Sequence, residues 1–255
     1  MDIFNAIIFG IIEGITEFLP VSSTGHLMLT ARLLGFSQTE FMKTFEIAIQ
    51  LGAILSVVVL YWRSLLVDFK VMQRLAVAFA PTAVLGIIFY KIIKTVLLDS
   101  QQIVLWSLFL GGIFLIIFEL FHKEKEDAGA ELANISFKKA FWIGVFQSVA
   151  MVPGVSRSAA TIIGGLFLGL KRKTIVEFSF LLAVPTMLAA TGLDLLKNAG
   201  AFSVHQFFFL AVGFLVSFAV AILSIKFFLY FIKSHNFIAF GVYRVLIALL
   251  FWSVV

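Results

Sequence analysis

The sequence contains no cysteine, which excludes disulfides and cysteine-ligated metal centres. Charge is scarce. Asp, Glu, Lys and Arg make up 13% of the 255 residues, against about a quarter in a soluble domain. Hydrophobic residues make up 62%, and the mean hydropathy is +1.10. A water-soluble core of this size cannot hide that much apolar surface, so the bilayer is the natural solvent. A basic N-terminal region is also lacking. Met1-Asp2-Ile3-Phe4-Asn5 leads into an apolar stretch interrupted by Glu13 and Glu17, so a cleavable signal peptide is not expected and insertion should use internal spans. The net charge of +5 carries no nucleic-acid footprint, because the basic residues are scattered between apolar runs. It reads as an orientation signal.

What is present is an all-α polytopic pattern. Six apolar runs are expected to cross the membrane: residues 44–61, 75–90, 103–121, 175–193, 205–225 and 237–255. Two more, 3–34 and 140–170, are broken by Leu19-Pro20-Val21-Ser22-Ser23-Thr24-Gly25-His26 and by Val152-Pro153-Gly154-Val155-Ser156-Arg157-Ser158. Neither half of a broken run can span, so each is expected to form a re-entrant helix hairpin. Irregular backbone survives at membrane depth only when buried in protein or lining a cavity. With this layout Arg63, Lys70, Arg74, Lys123, Lys125, Lys138, Lys139, Lys171, Arg172, Lys173, Lys226 and Lys233 fall on one side. Lys43, Lys91, Lys94 and Lys197 fall on the other. The positive-inside rule makes the first side cytoplasmic and puts both termini outside. The first hairpin then enters from outside and the second from the cytoplasm.

A hydrophilic linker, 122–136, divides the single membrane domain into a first repeat of about 1–121 and a second of about 137–255. At an offset of 134 residues Gly10 meets Gly144, Glu13 meets Gln147, and Val21 meets Val155. Ser22 meets Ser156, Thr24 meets Ser158, Leu34 meets Leu168, and Gly35 meets Gly169. Each half is one hairpin plus three spans. Three is odd, so the halves run oppositely, as in the inverted repeats of many transporters. The two hairpin tips are therefore expected to meet inside the protein.

The breaks carry the chemistry. Glu13 and Glu17, four residues apart, share a helix face. Two carboxylates together inside a membrane repel, unless a cation or a basic residue lies between them. Oxygen ligands of this kind, completed by phosphate, suit Mg²⁺ or Ca²⁺. Ser22, Ser23, Thr24 and His26 supply hydroxyls beside a base, the constellation of an activated nucleophile. The same hydroxyls could instead cap the returning helix. Arg157, flanked by Ser156 and Ser158 and followed by Thr161, suits bidentate phosphate binding. Its plainer alternative is an ion pair with Glu13 or Glu17. Glu46 and Gln50 on one face of the first span, and Arg244 beside Tyr243 in the last, are expected to support the site from behind. The 31 phenylalanines read as lipid-facing or packing residues.

The segment Glu13-Gly14-Ile15-Thr16-Glu17-Phe18-Leu19-Pro20-Val21-Ser22-Ser23-Thr24-Gly25-His26 resembles the first signature of the bacterial undecaprenyl-diphosphate phosphatase family, also called the bacitracin-resistance protein BacA family. Pro153-Gly154-Val155-Ser156-Arg157-Ser158, with Thr161, resembles its second. The stretches from Phe45 to Gly52 and from Phe180 to Pro185 are also similar to the family. One departure is Ala159, where the family usually has Gly. The resemblance implies hydrolysis of a C55 polyprenyl diphosphate to the monophosphate and phosphate, with a divalent cation. It implies a role in recycling the cell-wall lipid carrier and in bacitracin resistance, in the bacterial plasma membrane, at a site opening to the outer face. A homodimer is compatible with such a fold.

In the mechanism this suggests, Glu13 and Glu17 hold a cation, while Arg157, the hydroxyls of Ser22, Thr24, Ser156, Ser158 and Thr161, and the tip N–H groups bind phosphoryl oxygens. Ser23 attacks phosphorus with Glu17 or His26 as base. Attack by His26 or by metal-activated water is the alternative. The rival function is a lipid-phosphate transporter or flippase, which would need the same inverted repeat and anion site.

Overall fold

The computed structural model describes residues 1–37, 39–92, 97, 100–124, 131–198 and 204–254. Among the described residues there is no β-strand. The helices are α1 Ile3–Thr16, α2 Ser23–Leu33, α3 Glu40–Leu60, α4 Trp62–Leu66, α5 Phe69–Ile92, α6 Gln101–Phe121, α7 Phe137–Ser148, α8 Arg157–Phe167, α9 Arg172–Asn198, α10 Val204–Phe231 and α11 Ile238–Val254. Residues 125–130 of the 122–136 linker, including Lys125, Glu126 and Asp127, lie outside the described residues, as does Lys94.

Helices α3, α5, α6, α9 and α10 are long and apolar enough to cross a membrane. The expected sixth span, 237–255, is the shorter α11, with 17 residues. At 1.5 Å per residue that is about 25 Å, less than the roughly 30 Å hydrocarbon core. The span expected at 75–90 is longer than expected: α5 runs 24 residues with Pro81 inside it. Large apolar side chains such as Ile87, Phe114, Phe121 and Leu223 face outward on these helices, as lipid contact requires. Phe9, Phe18, Phe45, Phe178, Phe180 and Phe228 are instead fully buried, so the phenylalanines serve in both places.

Both broken runs form helix–break–helix hairpins, α1/α2 and α7/α8. Their resemblance reaches the backbone. Ser22 (φ 71°) and Ser156 (φ 76°) are the two non-glycine residues at positive φ among the described residues. Each caps its returning helix, accepting from Gly25 N at 3.4 Å and from Ala159 N at 3.2 Å. A left-handed serine costs about 1–3 kcal/mol, and its cap returns roughly 1 kcal/mol. The returning helices end alike, at Gly35 (φ 72°) and Gly169 (φ 74°), a conformation glycine adopts without strain.

The halves interlock. Helix α1 packs on α10 and α7 on α5, while α3 packs on α10 and α9 on α5. Each hairpin thus rests on the middle span of the other half. The seams are tight at equivalent places. A Cβ on Gly10 would lie 2.8 Å from the Gly213 carbonyl, and one on Gly144 would lie 2.0 Å from the Ala78 carbonyl. Helices α3 with α9 and α6 with α11 complete the paired arrangement.

Candidate active site

The first hairpin breaks just after Glu17, whose N–H still reaches the Glu13 carbonyl at 3.0 Å. Five residues later Ser22 turns the chain into α2, so Ser23 stands at its first position. This return places the Ser23 hydroxyl 2.6 Å from Glu17 Oε2, to which it donates. The other Glu17 oxygen, Oε1, accepts from Arg157 Nη2 at 3.3 Å. Arg157 opens α8 of the second hairpin, and its Nη1 donates to the Ser179 carbonyl on α9 at 2.8 Å. A hydroxyl, a carboxylate and a guanidinium therefore form one chain across the two tips. Glu17 and Arg157 side chains are only 4% and 10% exposed. A second tip-to-tip bond runs from Ser158 Oγ to the Phe18 carbonyl at 2.8 Å.

His26 lies one turn into α2. Its Nδ1 is 2.8 Å from the Ser22 carbonyl and its Nε2 is 2.7 Å from the Tyr243 hydroxyl. Arg244, 1% exposed, has no carboxylate partner among the described residues. Its guanidinium donates to carbonyls from both breaks, Val155 (3.0 Å), Gly154 (2.9 Å) and Pro20 (3.4 Å), and to Ser107 on α6 (2.9 Å). It ties the two loops to α6 and α11. Gly111 leaves room for it, since a Cβ there would meet Arg244 Nη2 at 2.2 Å.

Glu13 is fully buried, and among the described residues no N–H group donates to its carboxylate, whose near neighbour is the carboxyl group of Glu17. Glu17, Glu46 and Arg157 all act on it electrostatically. Two hard oxygens beside another carboxylate fit a hard divalent cation, since an ionised carboxylate is otherwise costly to bury. Among the described residues no group of three or more acidic, histidine or cysteine side chains could hold a metal by itself. Any ion here would draw its remaining ligands from water and phosphate, as Mg²⁺ commonly does.

Several expected phosphate ligands have partners inside the protein. The Ser22 and Ser156 hydroxyls cap helices. Ser158 holds Phe18, and Thr161 Oγ1 sits 2.6 Å from Ser179 Oγ and 2.9 Å from the Arg157 carbonyl. Thr24 is exposed at the tip, and Gln50 is half-buried on α3. What is left facing the junction for an anion is Arg157 and the first N–H groups of α2 and α8, which lack intrahelical acceptors. Sequence reasoning missed Ser179, which sits between Phe178 and Phe180 in an apolar run. It named Tyr243 only as the neighbour of Arg244. It also missed the buried ion pair of Glu119 with Arg172 at the far end of α6.

A profile of the family described as bacitracin resistance protein BacA matches residues 6–250. The chain belongs to the BacA family. It is 50% identical to the undecaprenyl-diphosphatase of Aquifex aeolicus over 98% of both chains. It is 52% identical to that of a Sulfurihydrogenibium species over 99% of both. It is 51% identical to that of Wolinella succinogenes over 98% of this chain and 97% of the relative. The two segments resembling the BacA signatures are the segments whose tips meet at Glu17 and Arg157.

Proposed function

We propose that this multi-pass membrane protein is a hydrolase that cleaves undecaprenyl diphosphate to undecaprenyl phosphate and phosphate. The reading is supported by the BacA relatives, each named for that activity over nearly the whole chain. The single observation that carries the chemistry is the Ser23–Glu17–Arg157 chain joining the hairpin tips. Inverted repeats alone would suit a transporter, but the relatives' names favour hydrolysis over transport.

The terminal phosphoryl group enters the junction and is held by Arg157 and the tip N–H groups. The Ser23 Oγ attacks phosphorus while Glu17 Oε2 takes its proton. The bond to the bridging oxygen breaks, and the lipid monophosphate leaves with that oxygen. Water then attacks the phosphoserine, and Ser23 recovers a proton as phosphate departs. Glu13, with Glu17, would hold a divalent cation, Mg²⁺ or Ca²⁺, which neutralises charge on the phosphoryl oxygens. The site lies in a bacterial plasma membrane and opens outward, with both termini on that side, because the basic loops set the orientation.

Purified protein incubated with a polyprenyl diphosphate should release phosphate, and acid quenching should trap phosphoserine at Ser23. Ser23→Ala should lower the rate by about 10³-fold or more. Wild-type turnover in Ser23→Ala would eliminate serine attack. Lipid movement across vesicles with no phosphate release would replace the hydrolase with a transporter.

A further inference from the structure

The ring of His26 is held at two corners. The Ser22 carbonyl, 2.8 Å from Nδ1, can only accept, so Nδ1 carries a proton. In the neutral ring Nε2 is then a bare acceptor, and the Tyr243 hydroxyl at 2.7 Å donates to it. The two rings lie near-parallel, 5° apart, with centroids separated by 5.5 Å. A ring flip would bring carbons against both the carbonyl and the phenol. Arg244, the next residue, binds carbonyls of both breaks and so fixes the height of α11 beside α2.

This arrangement divides the proton work. Ser23 and His26 are one turn apart, yet each already has a different partner: Ser23 has Glu17, and His26 has Tyr243. Nδ1 is tied to the backbone and cannot exchange its partner. Nε2 can, because Tyr243 is 40% exposed and can yield to water or a substrate oxygen.

We propose that Tyr243 is a positioning residue for the hydrolysis: with the Ser22 carbonyl it holds His26 in the Nδ1–H tautomer and keeps the Nε2 lone pair aimed for the water step. This rests on the hairpin junction being the active site. In the first step the Ser23 proton goes to Glu17. In the second, Nε2 takes a proton from the attacking water, the bond from phosphorus to Ser23 Oγ breaks, and Ser23 takes back the proton held by Glu17. The imidazolium then loses its proton to solvent past Tyr243. Over the cycle one water is consumed, one phosphate is released and one proton leaves.

The test labels the 4 histidines with ¹⁵N and assigns the His26 ring by its loss in His26→Gln. Wild type should show the Nδ1–H tautomer. Tyr243→Phe keeps the stacked ring and removes the hydroxyl. It should keep Nδ1–H on the Ser22 carbonyl but move the Nε2 resonance toward that of an acceptor without a hydrogen bond, with a kcat about 10-fold lower and a KM within about twofold. Unchanged ring signals, or unchanged kcat, in Tyr243→Phe would overturn the proposal. So would a loss seen in Tyr243→Leu alone, which would leave only stacking. If Tyr243→Phe lowers the melting temperature, the His26 signal of the folded fraction still decides. Arg157→Lys, run alongside, separates the two readings. If the junction is not the active site, Arg157→Lys hydrolyses at the wild-type rate while Tyr243→Phe still shifts the ring. If only the Tyr243 role is wrong, Arg157→Lys is impaired and Tyr243→Phe behaves as wild type.

Discussion

The two hairpins share a backbone and differ in chemistry. Ser22 and Ser156 turn the chain with the same left-handed φ and cap the same helix position, and Gly35 and Gly169 end the two returning helices alike. Yet where the first hairpin buries Glu13, the second buries Gln147, whose amide donates to Thr82 (2.9 Å) and Thr186 (3.1 Å). Where the first starts its helix with Ser23, the second starts with Arg157. Duplicated geometry supplies two anion-ready helix starts facing one another. Divergence then gives one tip the base and hydroxyl and the other the fixed positive charge. A pair of identical tips would put like charges together at the junction.

Substitutions can break that complementarity. The largest effect is expected at Glu17, whose carboxylate accepts from Ser23 of its own tip and from Arg157 of the other. Glu17→Gln keeps the shape but cannot take the Ser23 proton, and phosphate release should fall by about 10³-fold or more, with the melting temperature in detergent nearly unchanged. An intermediate effect tests the Glu13–Gln147 difference. Glu13→Gln, which copies the second hairpin into the first, should need more divalent cation for half-maximal rate, and chelation should stop wild type and variant alike. The converse, Gln147→Glu, buries a carboxylate beside the Thr82 and Thr186 hydroxyls. It should destabilise by about 2–4 kcal/mol, read as a lower melting temperature, without adding activity. The smallest effects test the shared backbone. Ser22→Gly and Ser156→Gly each lose a cap and relieve a strained φ, and each should shift stability by less than about 1 kcal/mol. A large loss at one position only would show that the two turns are not equivalent.

Much of this was legible in the sequence because membrane burial leaves few options. Long apolar runs between charged loops mark spans, and a Pro, a Gly and hydroxyls in mid-run mark a break that must be housed in protein. The 134-residue offset placed Ser22 on Ser156 and Gly35 on Gly169, the pairs whose dihedral angles match. The meeting of Glu17 with Arg157 followed from the odd count of spans. Hydroxyl partners were not legible. Nothing in the order of residues separates Ser23, which faces Glu17, from Ser158, which faces a carbonyl, because one helical register decides it. Arg244 looked like a neutralising charge, but its partners are carbonyls from three separate segments, a contact set that no local pattern encodes. The bounds of α11 lie within a residue of the expected run among the described residues, and only its 17-residue length sets it apart from the five longer spans.

The interlock of α1 on α10 and of α7 on α5 also governs how the chain is made. When the first hairpin leaves the ribosome, the helix that will shelter it has not been synthesised. Glu13 and Glu17 must wait at the membrane until Val204–Phe231 arrives. The first half cannot mature early, and a chain stopped at the linker should yield a hairpin without a home, open to proteolysis. Two halves cut at the linker and produced together carry each other's missing support. Assembly from the pieces, rather than maturation of either alone, is the biosynthetic signature of this topology.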